Sequence, residues 1–221
     1  MESVTSTKRG PRGPYAKTAQ RRADIVAAAL ELVVDRGHRD VTTAEVAERA
    51  GVTEATVLYH FPSKDHLLVA TLGRSEADDQ QREAAAHTPR VDLVWTAESV
   101  GRQAEVNVGH AETLRLFVRM AAEATEPSHP AHAWFVEHHR AAYSQFAETL
   151  RGLQESGQAH PDVDPNRFAR QMVALWDGLQ SQWLIDPSFD LAEEVVAAFR
   201  TLAREDAMSA KRAMEALAAG L

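Results

Sequence analysis

Apolar residues recur at helical spacing along most of this chain, and no segment alternates between apolar and polar residues over any length. From Thr18 to Arg36 the apolar residues share one face at the i, i+3, i+4 spacing, and Gly37 ends the helix. Breaks containing glycine or proline then separate predicted helices at 64–85, 91–108, 111–125, 131–156, 166–186 and 190–218. The pattern predicts an all-α fold, with an N-terminal three-helix domain and a larger C-terminal helical domain.

Residues 41–64 predict two short helices joined by a tight turn. The first begins at Thr42, whose hydroxyl can accept a hydrogen bond from the backbone N–H of Glu45 while the Glu45 carboxylate reaches back to the Thr42 N–H. Gly51 can adopt the positive φ that ends this helix, and Thr53 caps the next one. This succession is the helix-turn-helix arrangement, in which the second helix enters the DNA major groove.

The second helix of the pair is expected to divide its residues between the groove and the core. Val57, Leu58 and Phe61 are predicted to point to the core. Ser63 caps the following helix, so Lys64 stands in its first turn beside free backbone N–H groups, where it is a candidate phosphate contact. The candidate DNA contacts are Lys17, Arg21, Thr42, Thr43, Thr53, Glu54, Ala55, Thr56, Tyr59, His60 and Lys64.

Charge is distributed unevenly along the chain. The net charge is −8, yet residues 1–73 hold ten Lys/Arg against nine Asp/Glu, a net of +1, which leaves −9 for the remainder. The first 22 residues carry six basic side chains and one acidic. Residues 1–16 are rich in Gly, Pro, Ser and Thr and predict a disordered, flexible basic arm that reaches phosphates or the minor groove. The alternative is a solvated tail without a DNA contact.

Composition sets further expectations about compartment and organisation. The longest apolar runs, such as Ile25 to Leu30, are far below the roughly 20 residues that cross a bilayer, and Met1 to Ala16 lacks the apolar segment of a signal peptide. The absence of cysteine suits a reducing cytoplasm, so a cytoplasmic protein without a membrane partner is expected. The predicted division is an arm at 1–16, a helix-turn-helix domain at 17–66, and a ligand-binding and dimerisation domain at 67–221.

The last two predicted helices have broad apolar faces, which are typical of a four-helix dimer interface with two helices from each subunit. A charge at Leu179 or Phe199 is then expected to abolish the homodimer and DNA binding together. The residues of these faces are Phe168, Met172, Leu175, Trp176, Leu179 and Trp183 in the first helix, and Val195, Val196, Phe199 and Leu202 in the second.

Aromatic and polar residues of the central helices could line a pocket between helices. Core packing explains any one of them taken singly. Together they predict a site for a small effector that is apolar or aromatic, because the candidate lining has several large rings and no clustered charge. The candidates are Trp95, Phe117, Met120, Trp134, His138, Tyr143, Trp176 and Gln180.

Other chemistry has little support in the sequence. The histidines His129, His132, His138 and His139 form no His-Glu-x-x-His motif, and no metal site is predicted. There is no Gly-x-Ser-x-Gly and no phosphate-binding glycine loop, so no cofactor is predicted and enzymatic function has no positive support.

Three motifs carry a resemblance to a known family. Thr-Thr-x-x-Val-Ala from Thr42, Ala-Gly-Val-Thr from Ala50 and His-Phe-Pro-Ser-Lys from His60 resemble the N-terminal domain of the TetR family of bacterial transcriptional regulators. Ala55 and Leu58 depart from it, since many members carry glycine and tyrosine there. The stretch from 174 to 187 also resembles the dimer-forming helices of the family. The resemblance implies a ligand pocket in the C-terminal domain.

These observations favour a dimeric transcriptional repressor that binds a palindromic double-stranded operator and is released by a small effector. The alternative is an all-helical small-molecule-binding protein or enzyme that keeps the helix pair as scaffold. The basic arm separates the two hypotheses, because a scaffold has no use for a positive N-terminus.

Overall fold

The computed structural model describes residues 14–86 and 96–219. Within these residues the chain is helical and has no strand, which confirms the all-α prediction. None of the described helices combines the length and apolar character of a membrane span. The helices are α1 (Pro14–Arg36), α2 (Thr43–Arg49), α3 (Glu54–His60), α4 (Lys64–Ala86), α5 (Ala97–Gly109), α6 (Ala111–Glu123), α7 (Ala131–Glu155), α8 (Pro165–Ile185), α9 (Leu191–Ala203) and α10 (Glu205–Ala218).

The local signals around the helix pair form as predicted. Thr42 N–H donates to Glu45 Oε2 at 3.0 Å, and Glu45 N–H donates to Thr42 Oγ1 at 3.3 Å. Gly37 and Gly51 have φ of +83° and +65°, values that favour glycine. Thr53 Oγ1 accepts from Thr56 N–H at 3.2 Å and caps α3. The turn chemistry therefore confirms the predicted helix-turn-helix geometry.

Some predicted helix boundaries are wrong. The helix α1 begins at Pro14, within the predicted arm, because proline fits the first turn of a helix. The helix predicted at 190–218 is two helices, since Arg204 adopts a left-handed conformation with φ of +56° and ends α9. The helix predicted at 91–108 is observed as α5, which begins at Ala97 after the cap Thr96. Residues 91–95 lie outside the described part of the chain.

The buried side chains form two cores. The N-terminal core joins α1 to α4 with α6 and the start of α7, and it includes Ile25, Val57, Phe61, Leu116 and Phe135. The C-terminal core joins α5, α7, α8 and α9 and includes Val100, Leu150, Phe168, Met172 and Phe199.

The prediction that Phe199 lies in a dimer face is wrong. Phe199 is 0% exposed within the subunit and packs edge-on against Phe168 at 5.4 Å between ring centroids. Met172 and Val195 are also fully buried in the C-terminal core. These buried residues of α8 and α9 thus pack against helices of their own subunit, so a charge at Phe199 is expected to unfold the subunit rather than to separate two subunits.

Candidate DNA-binding interface

The exposed face of α3 presents residues to solvent while its other face anchors the helix. Val57 and Phe61, one turn apart, are buried in the N-terminal core. Tyr59 is 81% exposed, and Glu54 and Ala55 are also exposed. The seven-residue helix therefore offers a surface that is fixed from behind by two core residues.

The prediction that Leu58 points to the core is wrong, since its side chain is 43% exposed. Val57 and Phe61 occupy the inward face at i and i+4, and Leu58 is rotated about 100° from Val57. An apolar residue therefore stands on the outer surface of the helix pair, beside Tyr59.

A concave surface lies between the start of α1 and the outer face of α3. From α1 it receives two exposed cationic side chains, those of Lys17 and Arg21. Thr18 was not among the predicted contacts, because nothing in the helical period shows which residues of α1 border α3. The surface is lined by Lys17, Thr18, Arg21, Ala55, Thr56, Tyr59 and His60.

Other predicted contacts are hydrogen-bonded to one another within the helix pair. Thr43 Oγ1 donates to Glu54 Oε1 at 2.5 Å and joins the start of α2 to the start of α3. The hydroxyls of Thr53 and Thr56 lie 2.9 Å apart. The bond between Thr43 and Glu54 joins the two helices, whereas the contact between Thr53 and Thr56 lies within the first turn of α3. These residues therefore have a structural role in addition to the predicted one.

Lys64 stands in the first turn of α4, as predicted, and is half-buried. Its ammonium donates to the carbonyl oxygen of Arg39 at 3.0 Å. Burial, followed by the nearby positive charge of Arg119, lowers the pKa of Lys64. The Ser63 hydroxyl accepts from His66 N–H at 3.3 Å and caps the helix.

The predicted pocket residues divide between the two cores. Phe117, Trp134 and His138 form one ring cluster, in which Trp134 and His138 stack at 4.9 Å and Phe117 meets His138 edge-on at 5.3 Å. Met120 is fully buried in the N-terminal core. Tyr143 packs against the C-terminal core.

The remaining candidates lie elsewhere. Trp176 packs against the C-terminal core, and Gln180 is 2% exposed. Trp95 lies outside the described residues. The structure thus brings together three of the candidates, those of the ring cluster, and leaves Tyr143 and Trp176 at the other core.

Residues that sequence reasoning missed stand beside this ring cluster. Glu76 of α4 places Oε1 at 3.2 Å from His138 Nδ1, and Asp177 of α8 places Oδ2 at 3.4 Å from His139 Nε2. A Cβ on Gly73 would lie 3.3 Å from Trp134 Nε1, so the glycine lets α4 approach the indole. Only the packing of α4 and α8 on α7 reveals these neighbours.

One group of described residues combines donor types that metal ions use. Asp65, Glu123 and His129 place one oxygen or nitrogen each within 4.8 Å of one another. This group could not be predicted from the sequence, because its members lie on α4, on α6 and in the connection to α7.

Comparison with known proteins gives two family matches. Residues 25–71 match the family described as bacterial regulatory proteins, tetR family. Residues 105–205 match the family described as BetI-type transcriptional repressor, C-terminal. The chain is 32% identical to the HTH-type transcriptional regulator BetI of Rhizobium meliloti (strain 1021) over 163 residues, which cover 72% of this chain and 75% of the relative. It is 30% identical to the HTH-type transcriptional repressor KstR of Mycolicibacterium smegmatis over 171 residues, 75% of this chain and 77% of the relative.

Solved structures share the fold. Thermus thermophilus FadR, a TetR-family transcriptional repressor in complex with lauroyl-CoA, superposes with a TM-score of 0.58 at 26% identity, covering 82% of this chain and 92% of that chain. A transcriptional regulator from Saccharomonospora viridis in complex with choline superposes with a TM-score of 0.63 at 24% identity, covering 83% and 95%.

Proposed function

This chain belongs to the TetR family of bacterial regulatory proteins, as a DNA-binding and ligand-responsive transcriptional repressor, and we propose that it reads its operator through the surface between α1 and α3. The observation that supports this choice of DNA-binding surface is its concave shape, with Lys17 and Arg21 facing the exposed side of α3. Cations at such a rim suit DNA phosphates, and Tyr59, which is 81% exposed on α3, is the proposed contact to base edges. The proposal includes action in the bacterial cytoplasm, where operator DNA is found.

Lys64 and Tyr59 are expected to differ in what their loss does to DNA binding. Lys64→Ala should weaken binding to all sequences and lower the slope of log affinity against log salt by about one, because one phosphate contact is lost. Tyr59→Ala should cost about 1 to 3 kcal/mol of operator-binding free energy and alter base preference.

Fluorescence anisotropy with operator and scrambled duplexes over a salt series measures the effects of both variants. Lys211→Ala, an exposed lysine of α10, is the control. Equal loss on both duplexes for Tyr59→Ala would contradict base reading.

We assign the dimer interface to the outward face of α8. Within the subunit α8 packs between α7 and α9, and its remaining face is exposed. Leu175 is 40% and Ile185 is 85% exposed on this face, and helical spacing places the small residues Ala174 and Gly178 on the same face. Small residues let two helices approach closely, and two copies of one face form a two-fold interface. Two recognition helices would then meet successive major grooves about one helical turn apart.

We assign the effector site to the ring cluster of Phe117, Trp134 and His138, next to α4. The same α4 carries Lys64 at its start and Glu76 beside His138, so one helix contacts both the DNA side and the effector side. An effector that packs better with α4 tilted would change the spacing of the recognition helices. The two similar structures in complexes hold lauroyl-CoA and choline, which are different ligands and indicate no common one. The proposed effector remains small and apolar or aromatic, as the rings suggest.

Effector and operator are expected to weaken each other's binding by the same factor, about 5 to 150. The effector should quench tryptophan fluorescence through Trp134, and Trp134→Phe should remove most of that signal. The measurement is a titration of each quenching compound with and without saturating operator. Dissociation constants that agree for every compound that binds would contradict this mechanism even if the DNA interface is right.

A further inference from the structure

Four polar side chains meet where the start of α4 lies against the end of α6. Arg119 and Glu123 belong to α6, Asp65 to the first turn of α4, and His129 to the connection between α6 and α7. Arg119 Nη2 lies 3.4 Å from Asp65 Oδ1, and Arg119 Nε lies 3.0 Å from Glu123 Oε1. His129 Nε2 faces the other oxygen of each carboxylate, at 3.8 Å from Asp65 Oδ2 and 3.3 Å from Glu123 Oε2.

The tautomer of His129 decides what this cluster can hold. The backbone N–H of Ala131 donates to His129 Nδ1 at 3.2 Å, which requires that Nδ1 carry no proton. The neutral ring then has its proton on Nε2, the nitrogen that faces the two carboxylates. A metal ion would need the lone pair of Nε2, and the Arg119 guanidinium already offsets one carboxylate charge. The arrangement therefore suits contacts between protein groups better than metal binding.

The cluster fixes the end of α4 that lies nearest the DNA interface. Asp65 directly follows Lys64, the proposed phosphate contact. The groups that hold Asp65 come from α6 and from the α6–α7 connection, on the effector side. That connection is itself braced, since His132 Nδ1 donates to the carbonyl oxygen of Ala124 at 2.8 Å. A movement of the α6–α7 corner would thus change the contacts of Asp65 before those of any base-reading residue.

We propose that Asp65, Arg119, Glu123 and His129 form a latch that positions the start of α4, and with it Lys64, for DNA contact. The inference rests on the proposed function, because it assigns positioning residues to the same DNA interface. A half-exposed ion pair changes an equilibrium by a factor of up to about five. The latch is therefore suited to adjusting operator affinity without deciding whether the protein folds.

The test is a double-mutant cycle of Asp65→Asn and Arg119→Gln with operator affinity as the readout. Each single variant is expected to bind operator about two- to fivefold more weakly, and the double variant no more weakly than the worse single, because either change opens the latch. The direction in which Asp65→Asn changes operator affinity is decisive, since removal of a negative charge near DNA would by itself strengthen binding. Arg115→Gln is the matched control, because Arg115 pairs with Glu112 within α6.

Additive losses, stronger binding by Asp65→Asn, or an equal loss in Arg115→Gln would overturn the latch. Amide hydrogen exchange of residues 67–70 in the free protein gives a readout without DNA, and it should be faster in both latch variants and unchanged in the control. Calorimetric titration of the wild type with Zn²⁺ should give no stoichiometric binding, and one equivalent that disappears in His129→Gln would overturn the tautomer argument. A wild type that binds no duplex would contradict the proposed function, whereas variants that behave like the wild type contradict only the latch.

Discussion

A lysine at Gly178 is expected to yield a folded subunit that no longer dimerises and binds operator about 100-fold more weakly or worse. Apart from its chain neighbours and the backbone of its own helix, nothing in the described subunit lies within 4 Å of a Cβ placed on Gly178, and glycine inside a helix costs about 1 kcal/mol relative to alanine. The new side chain is therefore tolerated within one subunit. At an interface where two α8 helices cross, the same side chain would keep them apart. Two linked half-sites raise affinity by about 10² to 10⁴ over one, and this gain would be lost.

Sedimentation velocity and operator anisotropy measure the two effects on one sample. Gly109→Lys is the matched control, because Gly109 also has nothing within 4 Å of an added Cβ but lies at the end of α5. The control should remain a dimer with wild-type affinity. A Gly178→Lys protein that sediments as a dimer and retains operator affinity would contradict the assignment of the interface to α8.

Phe61→Ala is expected to lower the free energy of unfolding by about 3 to 5 kcal/mol and to abolish operator binding. Phe61 is 1% exposed and follows α3 directly, where its N–H donates to the Val57 carbonyl at 2.8 Å. The Arg22 guanidinium carbon lies 4.7 Å from the ring centroid, so the ring also ties α1 to the end of α3. A cavity in place of the Phe61 ring removes contacts that hold α3 in the core and contacts that join α3 to α1. Such a loss is a large share of the roughly 5 to 15 kcal/mol that stabilises a typical domain.

Urea unfolding followed by circular dichroism and by tryptophan fluorescence checks this expectation. Trp134 packs against the N-terminal core, whereas Trp176 and Trp183 pack against the C-terminal core, so fluorescence reports both cores while circular dichroism reports every helix. In Phe61→Ala the helical circular dichroism signal should begin to fall at a lower urea concentration than in the wild type. Arg22→Gln keeps the ring and should cost only about 0.5 to 1 kcal/mol. An unchanged midpoint in Phe61→Ala would show that Phe61 does not anchor α3.

Features that depend on a few neighbouring residues could be predicted from the sequence. The capping box of Thr42 and Glu45, the positive φ of Gly51 and the end of α1 before Gly37 need only residues within one helical turn, and all of them form. The predicted helices α2, α3 and α4 follow from the same signals. The division of the chain at residue 66 stays a prediction, since the N-terminal core continues into α6 and α7.

Contacts between distant helices could not be predicted in this way. An amphipathic pattern shows that a helix has an apolar face, but it does not show whether the partner is in the same subunit or another. The pattern therefore could not show that Phe199 is a core residue, or that the exposed face of α8 is the one that carries Leu175. The pairing of Arg119 with Asp65 joins residues 54 positions apart and appears only once α6 lies against α4.

Sequencing the duplexes that the wild-type protein retains from a random DNA pool at low salt tests the DNA-binding proposal most directly. We expect a palindromic site whose half-sites are centred about one helical turn apart or somewhat more. The preference should change at specific positions when the selection is repeated with Tyr59→Ala. Failure of the intact protein to retain any duplex at low salt would contradict the proposal.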